Sequence, residues 1–73
     1  MKYFERLKEL REDCDKKQSE IAEILNTTQS YYSQYELGKR QLPLEHLKTL
    51  CLFYGVSSDY ILGLPDNLEY PDR

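Results

Sequence analysis

The sequence predicts an all-α domain built from five short helices. Three observations lead there: apolar residues recur at helical spacing in five separate stretches, polar or Gly/Pro breaks of a few residues divide those stretches, and nowhere does a useful length of chain alternate apolar with polar residues as a strand would. With 73 residues, 40% hydrophobic and 32% charged, the chain suffices for one small core and is too short for two.

The first helix is expected over residues 3–14, with Phe4, Leu7, Leu10 and Cys14 on one stripe and Glu5, Arg6, Lys8, Glu9 and Arg11 outside it. The second begins at or just before Gln18 and turns Ile21, Ala22 and Leu25 inward, leaving Glu20 and Glu23 in solvent. Ala22 is small where a neighbouring helix must cross closely. Asp15 and Gln18 have the three-residue offset of a capping box, which would start this helix slightly early and offset the adverse position of Lys16 and Lys17 at its positive end. Asn26 tolerates the left-handed backbone of a helix stop, and Thr27 or Thr28 supplies a hydroxyl to cap the third helix.

The third helix, about residues 28–37, places Thr28, Tyr32 and Tyr35 on one side and Gln29, Ser30, Ser33, Gln34 and Leu37 on the other, with Tyr31 and Glu36 flanking. Gly38 ends it. After a loop at Gln41-Leu42-Pro43, Pro43 opens a fourth helix through Tyr54 whose buried stripe is Leu44, Leu47, Leu50, Cys51 and Tyr54. Gly55 terminates it, and Ser57 or Ser58 caps a short fifth helix through Leu62, closed by Gly63. The chain thus divides into a domain over residues 1–63 and a short acidic tail over 64–73, which has two prolines and no periodicity.

Residues 18–38 therefore read as two helical patterns across a three-residue polar break, which is helix-turn-helix spacing. The outward face of the second pattern carries Gln and Ser where a solvated helix usually carries Lys and Glu. These groups have the reach to hydrogen-bond base edges, and Gln pairs in bidentate fashion with adenine N6 and N7. Gln29, Ser30, Ser33 and Gln34 are the candidate base contacts. Lys39 and Arg40 follow where a phosphate strand would be gripped, and the flanking phase of Tyr31 suits either a phosphate contact or packing.

These residues resemble the phage-repressor and Cro-like, or XRE-type, helix-turn-helix proteins. The resemblance runs over about residues 7–63: RLKELRE from Arg6 to Glu12, Gln18 with Ile21-Ala22, SQYELGKR from Ser33 to Arg40, and GVSSDYILG from Gly55 to Gly63. It implies a five-helix repressor-like domain and a small transcriptional regulator, a repressor in the first instance, whose third helix enters the major groove. It further implies that Gln29, Ser30 and Gln34 face bases, and that Gln18 bonds a phosphate at a helix N-terminus. Lys17, Tyr31, Lys39 and Arg40 complete the expected backbone contacts. Leu37 departs from the family, standing where a polar or basic residue is common.

The formal charge of −3 and pI near 5.0 run against phosphate affinity, but the charge is unevenly placed. Residues 16–41 carry four basic groups against three acidic, while the tail carries Asp66, Glu69 and Asp72 against Arg73. Binding should be weaker and more salt-sensitive than for a strongly basic domain. The rival is a protein-interaction module on the same fold, an antitoxin-like or adaptor subunit, suggested by the acidic balance and by exposed Leu37 and Leu52.

The expected partner is a pseudo-palindromic double-stranded operator bound by a homodimer, with Leu52, Leu64 and Leu68 in the self-contact; the signal would be the chain's own concentration or a regulatory protein partner. No cofactor or metal is expected: Glu12, Asp13 and Asp15 lack the frame of a calcium loop, and Cys14 and Cys51 read as small buried thiols. His46 reads as an exposed surface residue. No nucleophile stands with a base and no Gly-rich loop cradles phosphate, so an enzyme is not expected. Nor is a signal peptide or membrane span, which places the protein in the cytoplasm.

Overall fold

The computed structural model describes residues 2–65, and among them the fold is all helical: α1 (Tyr3–Asp13), α2 (Gln18–Ile24), α3 (Gln29–Glu36), α4 (Leu44–Tyr54) and α5 (Ser58–Leu62). Helices of 5 to 11 residues are unstable alone in water, so their persistence depends on the core they share. Every helix contributes to it: Leu7 and Leu10 from α1, Ile21 and Ala22 from α2, Tyr32 and Tyr35 from α3, Leu47 and Leu50 from α4, and Ile61 from α5. Leu25, one residue beyond α2, is buried with them. None of the described helices is long and apolar enough to cross a membrane.

The helices end alike. Asp15, Asn26, Gly38, Gly55 and Gly63 all have positive φ, between 59° and 75°. In each case the next residue's N–H reaches back to a carbonyl of the last turn: Lys16 to Arg11 at 3.0 Å, Thr27 to Ala22 at 2.9 Å, Lys39 to Gln34 at 2.9 Å, Val56 to Cys51 at 3.1 Å and Leu64 to Asp59 at 2.9 Å. This is the Schellman closure, which satisfies carbonyls that would otherwise be orphaned and turns the chain sharply. Two of the five positions lack glycine; Asn and Asp are the side chains that best tolerate the left-handed region.

Asp15 therefore closes α1 and does not open α2. The helix α2 starts at Gln18, with Lys17 as its cap residue and the Lys17 N–H donating to Glu20 Oε1 at 2.8 Å. Pro43 likewise sits one position before α4, not in its first turn. Thr28 and Ser57 cap α3 and α5, their hydroxyls accepting from the N–H groups of Tyr31 and Tyr60 at 3.2 Å each.

Several burial expectations fail. Cys14 is exposed, because α1 ends at Asp13 and the chain has already begun to turn away. Cys51 is only half-buried, with enough burial to push its thiol pKa up. Leu44 is 81% exposed, since the first residue of α4 lies beyond the edge of the core. His46 is half-buried against the Tyr35 ring, with centroids 5.9 Å apart. Leu68 and the rest of the tail after Pro65 lie outside the described residues.

Candidate nucleic-acid interface

Two opposed faces of α3 do different work. The inner face anchors it: Tyr32 and Tyr35 are buried, their rings packed edge-on at 6.2 Å, and Glu36 is buried beside them with a side chain only 2% exposed. A buried carboxylate demands partners. Arg11 of α1 supplies a two-pronged one, its Nε donating to Glu36 Oε2 at 2.7 Å and its terminal nitrogen to Oε1 at 3.1 Å. A third donation, to the Lys16 carbonyl at 2.9 Å, ties the same guanidinium to the α1–α2 turn. Gln18 Nε2 also donates to Glu36 Oε1, at 3.1 Å. One carboxylate thus joins α1, α2 and α3. Burial would push the Glu36 carboxyl pKa up, but bonds from its neighbours, Arg11 foremost, outweigh it and hold the value below the ordinary range. Burial and the nearby carboxylate push the Tyr32 phenol up.

Helical periodicity places Glu36 on a flank and Arg11 outside the stripe, and so does not reveal this anchor. A signal was present. Glu36 adjoins Tyr35 and follows Tyr32 by four residues, while Arg11 stands in the same relation to Leu10 and Leu7, so both fall at the margin of an inner face.

The outer face carries the expected readers. Gln29 and Ser30 are exposed in the first turn, and Ser33 and Gln34, half-buried, stand one turn on along the same side. Ser33 Oγ donates to the Ser30 carbonyl at 2.9 Å, so its proton is already used. Leu37, 62% exposed, ends the face. Tyr31 is both exposed and packed: its ring meets Tyr35 edge-on at 5.7 Å.

Of the expected backbone contacts, Lys17 and Lys39 are exposed. Gln18 has spent one amide hydrogen on Glu36 and retains the other. Arg40 does not extend away from the helix. The Gly38 turn folds residues 39 and 40 back over the end of α3, where the Arg40 guanidinium lies 4.6 Å from the centroid of the Tyr31 ring and its Nε donates to Gln34 Oε1 at 2.8 Å. Gly38 also admits the Phe4 ring, since a Cβ at that position would stand 2.7 Å from two of its atoms.

Leu64 is exposed just beyond α5, and Leu52 is exposed on α4. Leu44, Leu47, Cys51, Leu52 and Val56 line an apolar groove of about 340 Å³ there, and Leu44 and Leu47 also border a second of about 200 Å³ beside Leu42 and Leu62.

The sequence profile described as Helix-turn-helix matches residues 7–61. Among curated proteins, the chain is 38% identical over 65 residues to the uncharacterized HTH-type transcriptional regulator YobD of Bacillus subtilis (strain 168), covering 89% of this chain and 58% of that one. It is 40% identical over 63 residues to the HTH-type transcriptional regulator ImmR of the same strain, covering 86% and 50%. A prophage-derived uncharacterized regulator from that strain, YonR, is 38% identical over 60 residues, 82% of this chain and 56% of its own. The chain thus spans about half the length of these relatives, from 50% to 58%. In structure it superposes on a transcriptional regulator from Listeria innocua with a TM-score of 0.83 at 24% identity, over 96% of this chain and 65% of that one.

Proposed function

Because the chain belongs to the helix-turn-helix family, of the phage-repressor and Cro-like type, we propose that it binds double-stranded DNA sequence-specifically as a transcriptional regulator acting in the cytoplasm. In this proposal α3 lies in the major groove. Gln29 and Ser30 read base edges from its first turn and Ser33 and Gln34 from its second, while Lys17, Gln18, Tyr31 and Lys39 hold the flanking phosphates. No catalytic step is assigned to any residue.

The supporting observation is the division of α3 into an inner face locked by Glu36 and an outer face of short, uncharged hydrogen-bonding side chains. Rigid mounting matters because a base contact is worth its full discrimination only when the side chain arrives already oriented. The overall negative charge is no obstacle if repulsive groups lie off the contact face, although it lowers non-specific affinity.

On DNA we propose a two-fold dimer spanning a pseudo-palindrome with half-sites about 34 Å apart. Leu52 and Leu64 form its self-contact, joined by Leu44 along the α4 groove; Leu68 was expected there too.

The test is selection from a random duplex pool followed by salt titration of the selected site. The expected result is enrichment of a two-fold related motif and an affinity that falls steeply with salt, log K losing about 0.9 per contacted phosphate per log unit of salt. No enrichment and no salt dependence would sink DNA binding and favour a protein partner.

A further inference from the structure

We infer that Arg40 and Gln34 act as one composite reader that selects guanine, so that Arg40 is a specificity-determining residue and Gln34 does not select adenine as an unpaired glutamine would. The inference rests on the proposal that α3 enters the major groove.

Adenine is recognised by glutamine because the side-chain carbonyl accepts from N6 while the amide donates to N7. Gln34 has already given its Oε1 to a charge-assisted bond from Arg40 Nε at 2.8 Å. What the side chain then presents most readily is its NH₂ group. Arg40 adds more donors: among the described residues no hydrogen bond engages its two terminal nitrogens, which form the end-on edge of the guanidinium fork. The pair therefore offers mainly donors, the remaining lone pair of Gln34 Oε1 lying beside the cationic guanidinium. Guanine O6 and N7 are both acceptors and match that array, whereas adenine N6, itself a donor, is opposed by it.

The pairing is positioned by the fold. The left-handed turn at Gly38 brings the Lys39 and Arg40 N–H groups back to the Gln34 carbonyl at 2.9 and 3.3 Å, setting the root of the arginine over the helix end. The guanidinium carbon then lies over the Tyr31 ring, 4.6 Å from its centroid, and that ring is itself held edge-on by buried Tyr35. Tyr31 flanks the reading face, so the stack and the bond to Gln34 together hold the guanidinium beside that face. Lysine, a point charge without a planar fork, cannot make the same arrangement.

The experiment compares selections from a random duplex pool by the wild type, Arg40→Lys, Arg40→Ala and Gln34→Ala, with a thermal melt of each as a folding control, since Arg40 is exposed but Gln34 is half-buried. The wild type is expected to prefer guanine at one position per half-site, and Gln34→Ala marks that position by weakening the preference. Arg40→Lys should lose roughly ten- to hundredfold of the guanine discrimination and shift toward adenine as Gln34 is freed, while keeping the wild-type salt slope. If Arg40→Lys keeps the wild-type base preferences and Arg40→Ala only weakens all binding with a shallower salt slope, Arg40 is a phosphate anchor and the inference falls while DNA binding stands. A wild type that enriches no sequence removes both.

Discussion

At the scale of single residues, the least replaceable contact is Glu36 with Arg11. Removing one member of a buried ion pair leaves the other charged and unpartnered, so Arg11→Ala is expected to cost about 3–5 kcal/mol, a large share of a small domain's stability. Replacing both with apolar side chains of similar volume should recover most of that loss; chemical denaturation of the two variants checks it, and an Arg11→Ala variant as stable as the wild type would show the pair to be dispensable. The same carboxylate sets an acid response. Its folded pKa lies below the ordinary 4.5, so its contribution is fully present above that value and is lost as pH falls through the folded pKa. Melting temperature should drop on acidification below about pH 4.5, and Glu36→Gln, though less stable at neutral pH, should show a flatter acid limb. The outer residues were legible from phase alone, because Gln29, Ser30, Ser33 and Gln34 need only point away from Tyr32 and Tyr35. Glu36 and Arg11 were not, since periodicity treats charge as outward and says nothing of two marginal charges that meet across 25 residues of chain.

At the scale of elements, helix ends decide the geometry more than helix propensities do. The three glycines were readable as stops because little else suits a left-handed terminus, and Asn26 was readable for the same reason. Asp15 was not, because an aspartate near a helix boundary serves a start as well as a stop, and only the backbone reveals which. Gly38 carries a double constraint: a φ of 75° and the Phe4 ring against its face. Gly38→Ala should therefore destabilise the domain by more than the roughly 1 kcal/mol of a left-handed alanine alone, while Gly55→Ala, with no atom within 4 Å, should cost only the backbone term. Equal losses in thermal melts of the two variants would mean that Phe4 moves aside without penalty. Loss of a cap should be milder, with Thr28→Ala and Ser57→Ala each costing about 1 kcal/mol by the same measurement.

At the scale of the whole molecule, the five-helix order was legible because each apolar stripe is bounded by a stop, whereas the covering of the stripes was not: Leu44 and Cys14 share the apolar phase of their helices yet lie beyond the reach of the core. The uncovered α4 side leads to a prediction about assembly. Leu52 is 75% exposed, so Leu52→Glu should leave the stability of the protomer within about half a kcal/mol of wild type and yet shift sedimentation at high micromolar concentration from dimer to monomer. A wild-type monomer, or a variant that dimerises and binds DNA normally, would remove that interface. The separation of the two sides of α3 has a consequence for descent as well as for mechanics. Because the bonds that keep the helix in place lie opposite Gln29 and Ser30, drift at those positions crosses nearly level stability ground, and under the proposed reading duplicated copies would acquire new targets without first gaining compensating changes in the interior. Gln34 is the exception, for a change there strands Arg40 on its tyrosine, so the two positions are expected to change together or not at all.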